Sequence, residues 1–182
     1  MPPEDHLADH PIQENRYTAA DIISILRENR WLTSDLTPEQ IAWSDRAAQL
    51  LGHYAEDRAA LANLLRPVFH YDAKEILQSP DAQAAISRNA ARDVIRHLAL
   101  LLLDPAPFTS ERFKQIVTYL KETCGLRSRD LFHPIRLSLA GRIGDGELDR
   151  VILLLDEAAT LNFALPAKSV RTRILEFCSA LD

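Results

Sequence analysis

The sequence predicts an all-α protein, organised as two consecutive helical bundle subdomains, on three grounds. Ala and Leu dominate the composition while Val, Ile, Thr and aromatic residues are comparatively sparse, so helix is favoured nearly everywhere and strand weakly. Apolar side chains recur at three- and four-residue intervals through most of the chain. Capping residues, prolines and glycines cut that pattern into helix-length pieces. With 182 residues, 47% of them hydrophobic and only five glycines, the chain can bury one sizeable core or two small ones.

Residues 1–16 hold three prolines and mostly polar side chains, and read as a mobile N-terminal tail. A first helix starts near Thr18, carries Ile22, Ile23, Ile25 and Leu26, and ends around Arg30. Thr37-Pro38-Glu39-Gln40 is a strong start signal: Thr37 caps, Pro38 suits the first helical position, and Gln40 reaches back as the capping-box partner. That helix is expected to bury Ile41, Ala48 and Leu51 and to stop at Gly52. Asp57 caps a third helix with Leu61, Leu64 and Leu65, which Pro67 ends or kinks. Ser79-Pro80-Asp81 opens what reads as the longest helix, running to about Leu103 with Ile86, Ala90, Val94, Leu98 and Leu101 inward.

Pro105-Ala106-Pro107 is the best internal boundary, dividing a first subdomain, 17–105, from a second, 106–182. After Thr109 or Ser110 comes a helix with Phe113, Ile116, Val117 and Leu120 inward, stopped by Gly125 in a left-handed conformation. Pro134 is expected to open a short helix ended by Gly141. The loop 143–146 leads into Leu148, Val151, Ile152 and Leu155, and a last helix after Pro166 carries Val170, Ile174, Leu175 and Phe177.

The formal net charge of −5 argues against a general polyanion sponge, but the charge is uneven. Residues 1–105 carry 10 Lys and Arg against 16 Asp and Glu, whereas residues 106–182 carry 11 against 10. Cys124 and Cys178 lack the spacing of a disulfide framework or zinc site, and no pair of the six histidines, including His6 and His10 in the tail, suggests a metal centre; no metal and no cofactor are expected. The acidic start is no leader sequence, and the strongest apolar stretch, Leu98–Leu103, is too short to span a bilayer. A reduced cytoplasm is the expected setting, with no membrane partner.

Residues 121–157 hold Gly125-Leu126, Leu131-Phe132, Pro134-Ile135-Arg136, Leu139-Ala140-Gly141 and Leu148 in an order without gaps. This stretch resembles the last helical subdomain of bacterial-type glutamyl-tRNA synthetases, K-x-x-x-G-L-K-x-K-x-L-F-x-P-L-R-x-A-L-T-G followed by a turn and an amphipathic helix. Val68–Asp72 likewise resembles the corner, F-F-x-x-x-Y-D, that closes that family's first bundle. The resemblance covers about residues 17–181 and implies the anticodon-binding α-helical cage of a class I synthetase, standing without the catalytic domain. It implies that Arg136 contacts the anticodon, and that Asp145, Gly146 and Leu148 fall on the turn that meets its bases. Three departures fall here: Ala140 for the usual Thr, Asp145-Gly146 for a Ser/Thr-Pro pair, and Asp156 for a Gly. An aspartate facing phosphate is unfavourable by like-charge repulsion.

Neither the HIGH-type nor the KMSKS-type motif is recognised, nor a nucleotide-binding sheet, so no ligase chemistry is expected of this chain alone. Arg127, Arg129, Arg136, Arg142 and Arg150 put five guanidinium groups within 24 residues, chemistry suited to phosphate and to stacking on unpaired bases. The plainer reading is a solvated face paired with Asp130, Asp145, Glu147 and Asp149. Arg136 leads the RNA-contact candidates, followed by Arg129 and Arg142. Lys168, Arg171 and Arg173 are expected to line the exposed face of the last helix, and Trp31 and Trp43 to be core anchors. The expected function is tRNA anticodon-loop or related RNA binding. The alternative is a protein-interaction module docking on a separate synthetase chain, and a shortened product without a role is the third.

Overall fold

The computed structural model describes residues 14–88, 90–143 and 147–182. The fold among the described residues is all-helical: α1 (Ala19–Glu28), α2 (Pro38–Leu51), a 3-10 turn (Gly52–Tyr54), α3 (Arg58–Phe69), α4 (Ala73–Ile76), α5 (Pro80–Ser87), α6 (Ala91–Leu102), α7 (Ser110–Cys124), α8 (Ser128–Ala140), α9 (Leu148–Ala158) and α10 (Val170–Leu181).

The local start and stop signals act as the sequence predicts. The Thr18 amide donates to Asp21 Oδ2 at 2.8 Å, opening α1. Thr37 and Gln40 exchange reciprocal hydrogen bonds at 3.1 Å, opening α2. Asp57, Ser79 and Thr109 accept from backbone amides at the starts of α3, α5 and α7. Gly125 and Gly141 end α7 and α8 with φ of 66° and 83°, a region that glycine enters without the Cβ penalty.

Elsewhere the chain departs from expectation. The stretch 80–102 is two helices, because Arg88 is extended and Ala90 is left-handed, with φ 61° and ψ 6°. The apolar spacing Ile86, Ala90, Val94 runs through this break, so periodicity alone conceals it. Pro67 lies inside α3, and Pro134 lies inside α8, which starts at Ser128. Ile41 is 45% exposed while Gln40 is buried, and Leu175 is 40% exposed. Gln40 is buried because its Nε2 donates to the Leu161 carbonyl at 2.7 Å, which ties α2 to the chain after α9. The end of the tail is docked: Asn15 Nδ2 donates to the Ala48 carbonyl at 2.9 Å, and Arg16 reaches the Glu56 carbonyl. Residues 1–13 lie outside the described residues.

Buried side chains form two clusters. The first is centred on Trp31, Trp43, Phe69 and Phe163, whose rings contact one another at centroid distances of 4.7 to 6.4 Å. Both tryptophans are core residues, with Trp43 Nε1 donating to the Leu154 carbonyl at 2.9 Å. The second gathers Val94, Ile95 and Leu98 of α6 with Phe113, Leu131, Ile135, Ile174 and Phe177. Neither cluster is confined to one side of Pro105–Pro107: α6 joins the second, and Leu154, Leu155 and Phe163 join the first. No helix among the described residues is long and apolar enough to cross a membrane.

Candidate nucleic-acid interface

Helix α8 places Arg129, His133 and Arg136 at positions i, i+4 and i+7, so all three lie along one stripe of its surface. Leu131, Ile135 and Leu139 are buried on the opposite face, and Arg136 also lines a small cavity with Leu64, Pro67 and Val68. Arg129, His133 and Arg136 are each partly exposed. Arg88, from the break between α5 and α6, reaches the same region and pairs with Asp130 at 3.4 Å. Burial lowers the His133 pKa from its ordinary value, and the charges of Arg88, Arg129 and Arg136 lower it further against a small opposing effect of Asp130. A neutral imidazole among guanidinium groups offers one donor, one acceptor and a flat face.

Arg142 is differently employed. Its Nη1 and Nη2 donate to the carbonyl oxygens of Asn63 and Leu64, each at 3.1 Å. Pro67 has no N–H, so Asn63 loses its intrahelical donor four residues on, and Arg142 supplies the replacement. Leu148 is half-buried and packs against the second core cluster. Asp145 and Gly146, the other two residues of the expected turn, lie outside the described residues. Arg150 is exposed and pairs with Glu147 at 3.0 Å.

The second basic cluster requires a correction. Arg173 is fully buried and does not line the exposed face of α10. Its Nε, Nη1 and Nη2 donate to the carbonyls of Lys168, Leu139 and Val68 at 2.8, 3.1 and 2.9 Å. Burial pushes its pKa down to about 10 against the opposing influence of Tyr71, Glu176 and Asp156. Lys168 Nζ donates to the Tyr71 carbonyl at 2.8 Å and pairs with Glu176 at 2.6 Å. Of the three, Arg171 is the exposed one. This cluster is a structural staple because each donor serves a carbonyl from a different segment.

Sequence reading did not find Arg88 as a neighbour of Asp130 and His133. Only the tertiary fold brings residue 88 to α8, and the expected helix start at Pro134 left Arg129 off the helix that carries Arg136. Among the described residues, no group of His, Cys, Asp and Glu gathers as a metal site would require.

No family model matches the sequence. Helical architecture and a guanidinium-bearing helix face define an all-α protein with a cationic surface stripe. The chain is 25% identical over 124 residues to glutamate–tRNA ligase 2 of Syntrophus aciditrophicus (strain SB), covering 68% of this chain and 25% of that protein. It shows the same identity and coverage with the glutamate–tRNA ligase of Geobacillus stearothermophilus. Against that of Exiguobacterium sibiricum it is 23% identical over 139 residues, 76% of this chain and 28% of the relative. The protein is thus distantly related to part of the glutamate–tRNA ligases, and spans about a quarter of the length of these curated relatives.

Proposed function

We propose that this chain is a non-catalytic tRNA-binding module, equivalent to the anticodon-binding helical region of a glutamate–tRNA ligase. The observation that carries the reading is the Arg129–His133–Arg136 stripe on α8, in a chain related to those ligases. Guanidinium groups pair with phosphate oxygens and stack on splayed bases, and a neutral imidazole stacks without adding charge. Arg136 is the principal contact, with Arg129 beside it. Arg142, tied to the Asn63 and Leu64 carbonyls, and Leu148 flank the segment where the resemblance places the second contact. The reading assigns binding and no chemistry to this segment.

The test is titration of the purified chain with total tRNA at two salt concentrations, with single-stranded DNA as control. Affinity for tRNA should exceed that for DNA and fall steeply with salt, as counterions are released from the phosphates. Absence of tRNA binding at low salt would sink the reading.

A protein-docking role is the second reading, with a separate synthetase chain as partner. It rests on Leu100 of α6, Leu103 just after it and Tyr119 of α7, which are 65%, 40% and 47% exposed, α6 and α7 packing together. Binding through such a surface would be nearly insensitive to salt.

A further inference from the structure

The corner between α7 and α8 is an open cleft of about 590 Å³, lined by Lys121, Glu122, Arg127, Ser128 and Phe132. Gly125, left-handed at φ 66°, turns the chain there and sets the last turn of α7 against the first turns of α8. Lys121 Nζ lies 5.7 Å from the centre of the Phe132 ring, so the ring face steadies the ammonium without neutralising it. Among the described residues, neither Lys121 nor Arg127 pairs with a carboxylate. Glu122 is the one carboxylate in the lining, which leaves one positive charge in excess. The cavity beside α5 and α6 differs. It holds Arg88, Arg92 and Arg96, but Arg88 and Arg96 face Asp130 and Asp182, and Asp93 stands in the wall.

Phe132 comes three residues after Arg129 and four before Arg136, so it lies on the face of α8 that carries those arginines. The cleft therefore continues the stripe around toward α7. Arg127 and Arg136 are nine residues apart, about 13 Å along the helix axis. A stacked strand advances about 3.4 Å per phosphate, so about four phosphates reach from one to the other. An ammonium and a guanidinium fork without carboxylate partners offer charge-assisted bonds to phosphate oxygens.

We propose that Lys121 and Arg127 form a second phosphate-binding element, which holds the backbone of an RNA strand that also lies on the α8 stripe. The inference rests on the RNA-binding reading of α8 and lengthens its footprint onto α7. Contact is with phosphate, so the cleft is indifferent to base. An acidic peptide would satisfy the same two cations. Continuity with the arginines of α8 favours the RNA strand.

The full chain is titrated with total tRNA across a series of salt concentrations. Lys121→Gln and Arg127→Gln combined should weaken binding about tenfold at low salt and lower the slope of log affinity against log salt by roughly 1.4 to 1.8. Glu122→Gln should tighten binding, because it removes the opposing charge. Arg27→Gln, a cation lost from α1 in the other core cluster, should move neither quantity. All four side chains are exposed, so the variants keep the fold. A slope unchanged in the double variant, or lowered as much by Arg27→Gln, overturns the cleft while RNA binding by α8 stands. Inorganic phosphate or polyglutamate bound as tightly as tRNA, and released by the double substitution, gives the cleft to another anion and overturns it too. Failure of the wild type to bind tRNA overturns both readings.

Discussion

Arg173 lies against the face of Tyr71, with its guanidinium carbon 4.8 Å from the ring centroid. The Tyr71 hydroxyl is shared between the carbonyl oxygens of Ser138 and Arg173. Burial raises the Tyr71 pKa, which keeps this hydroxyl a donor. The pair joins α10 to the ends of α3 and α8, at the base of the helix that carries the cationic stripe. Arg173→Leu is expected to strand three carbonyls, two of them buried, and to cost about 3–5 kcal/mol, measured by urea denaturation. Tyr71→Phe removes one donor and should cost about 1–3 kcal/mol.

Arg136→Ala should weaken tRNA binding by about 1–3 kcal/mol at fixed salt and flatten the salt dependence. An unchanged dissociation constant, in a variant with wild-type stability, removes Arg136 from the interface.

The Arg142–Pro67 relationship is testable by a double-mutant cycle. Arg142→Ala should destabilise the fold by about 1–2 kcal/mol, because the Asn63 carbonyl loses its substitute donor. In a Pro67→Ala background the helix regains its own N–H, and the same substitution should cost measurably less. Strict additivity would exclude this role for Arg142.

The two left-handed glycines should differ. Gly125 has open space around it, so Gly125→Ala should cost about 1 kcal/mol through backbone strain alone. At Gly141 an added Cβ would meet Ile76 Cδ1 at 3.1 Å, so Gly141→Ala should cost more. Equal thermal shifts for the two variants would contradict that order.

His133 should titrate below its ordinary value of 6.5. The folded state therefore holds its proton more weakly than the unfolded state. The associated stability is present above about pH 6.5 and is lost as pH falls through the folded value. An NMR titration should show the midpoint moving up in Arg88→Ala, Arg129→Ala and Arg136→Ala, because each removes a repelling charge. A midpoint unmoved in all three would separate the guanidinium groups from the imidazole.

The helices themselves were legible wherever the signal lies within a few residues. Thr37 with Gln40, Asp57, Ser79, Gly125 and Gly141 all act through neighbours in the chain, so residue order alone reveals them. The break between α5 and α6 was hidden because a left-handed alanine leaves no mark on composition or apolar spacing. Pro134 read as a helix start because its missing N–H is normally tolerated there; the fold instead accommodates it inside α8. Of the candidate site, Arg129 and Arg136 were nominated by resemblance and charge, but a helix opened at Pro134 leaves Arg129 off it, so neither their common face nor Arg88 was legible.

Primary structure settled the helical class and most helix ends, because capping bonds and left-handed glycines are short-range chemistry. The distant relation to part of the glutamate–tRNA ligases is likewise carried by residue order. Three-dimensional packing decided which arginines face solvent. Arg173 is interred because carbonyls from three separate segments converge on it, and Arg142 is drawn inward by a carbonyl that Pro67 leaves without a donor. Those partners lie roughly thirty to a hundred residues away along the chain in the farthest cases, and no local pattern encodes them.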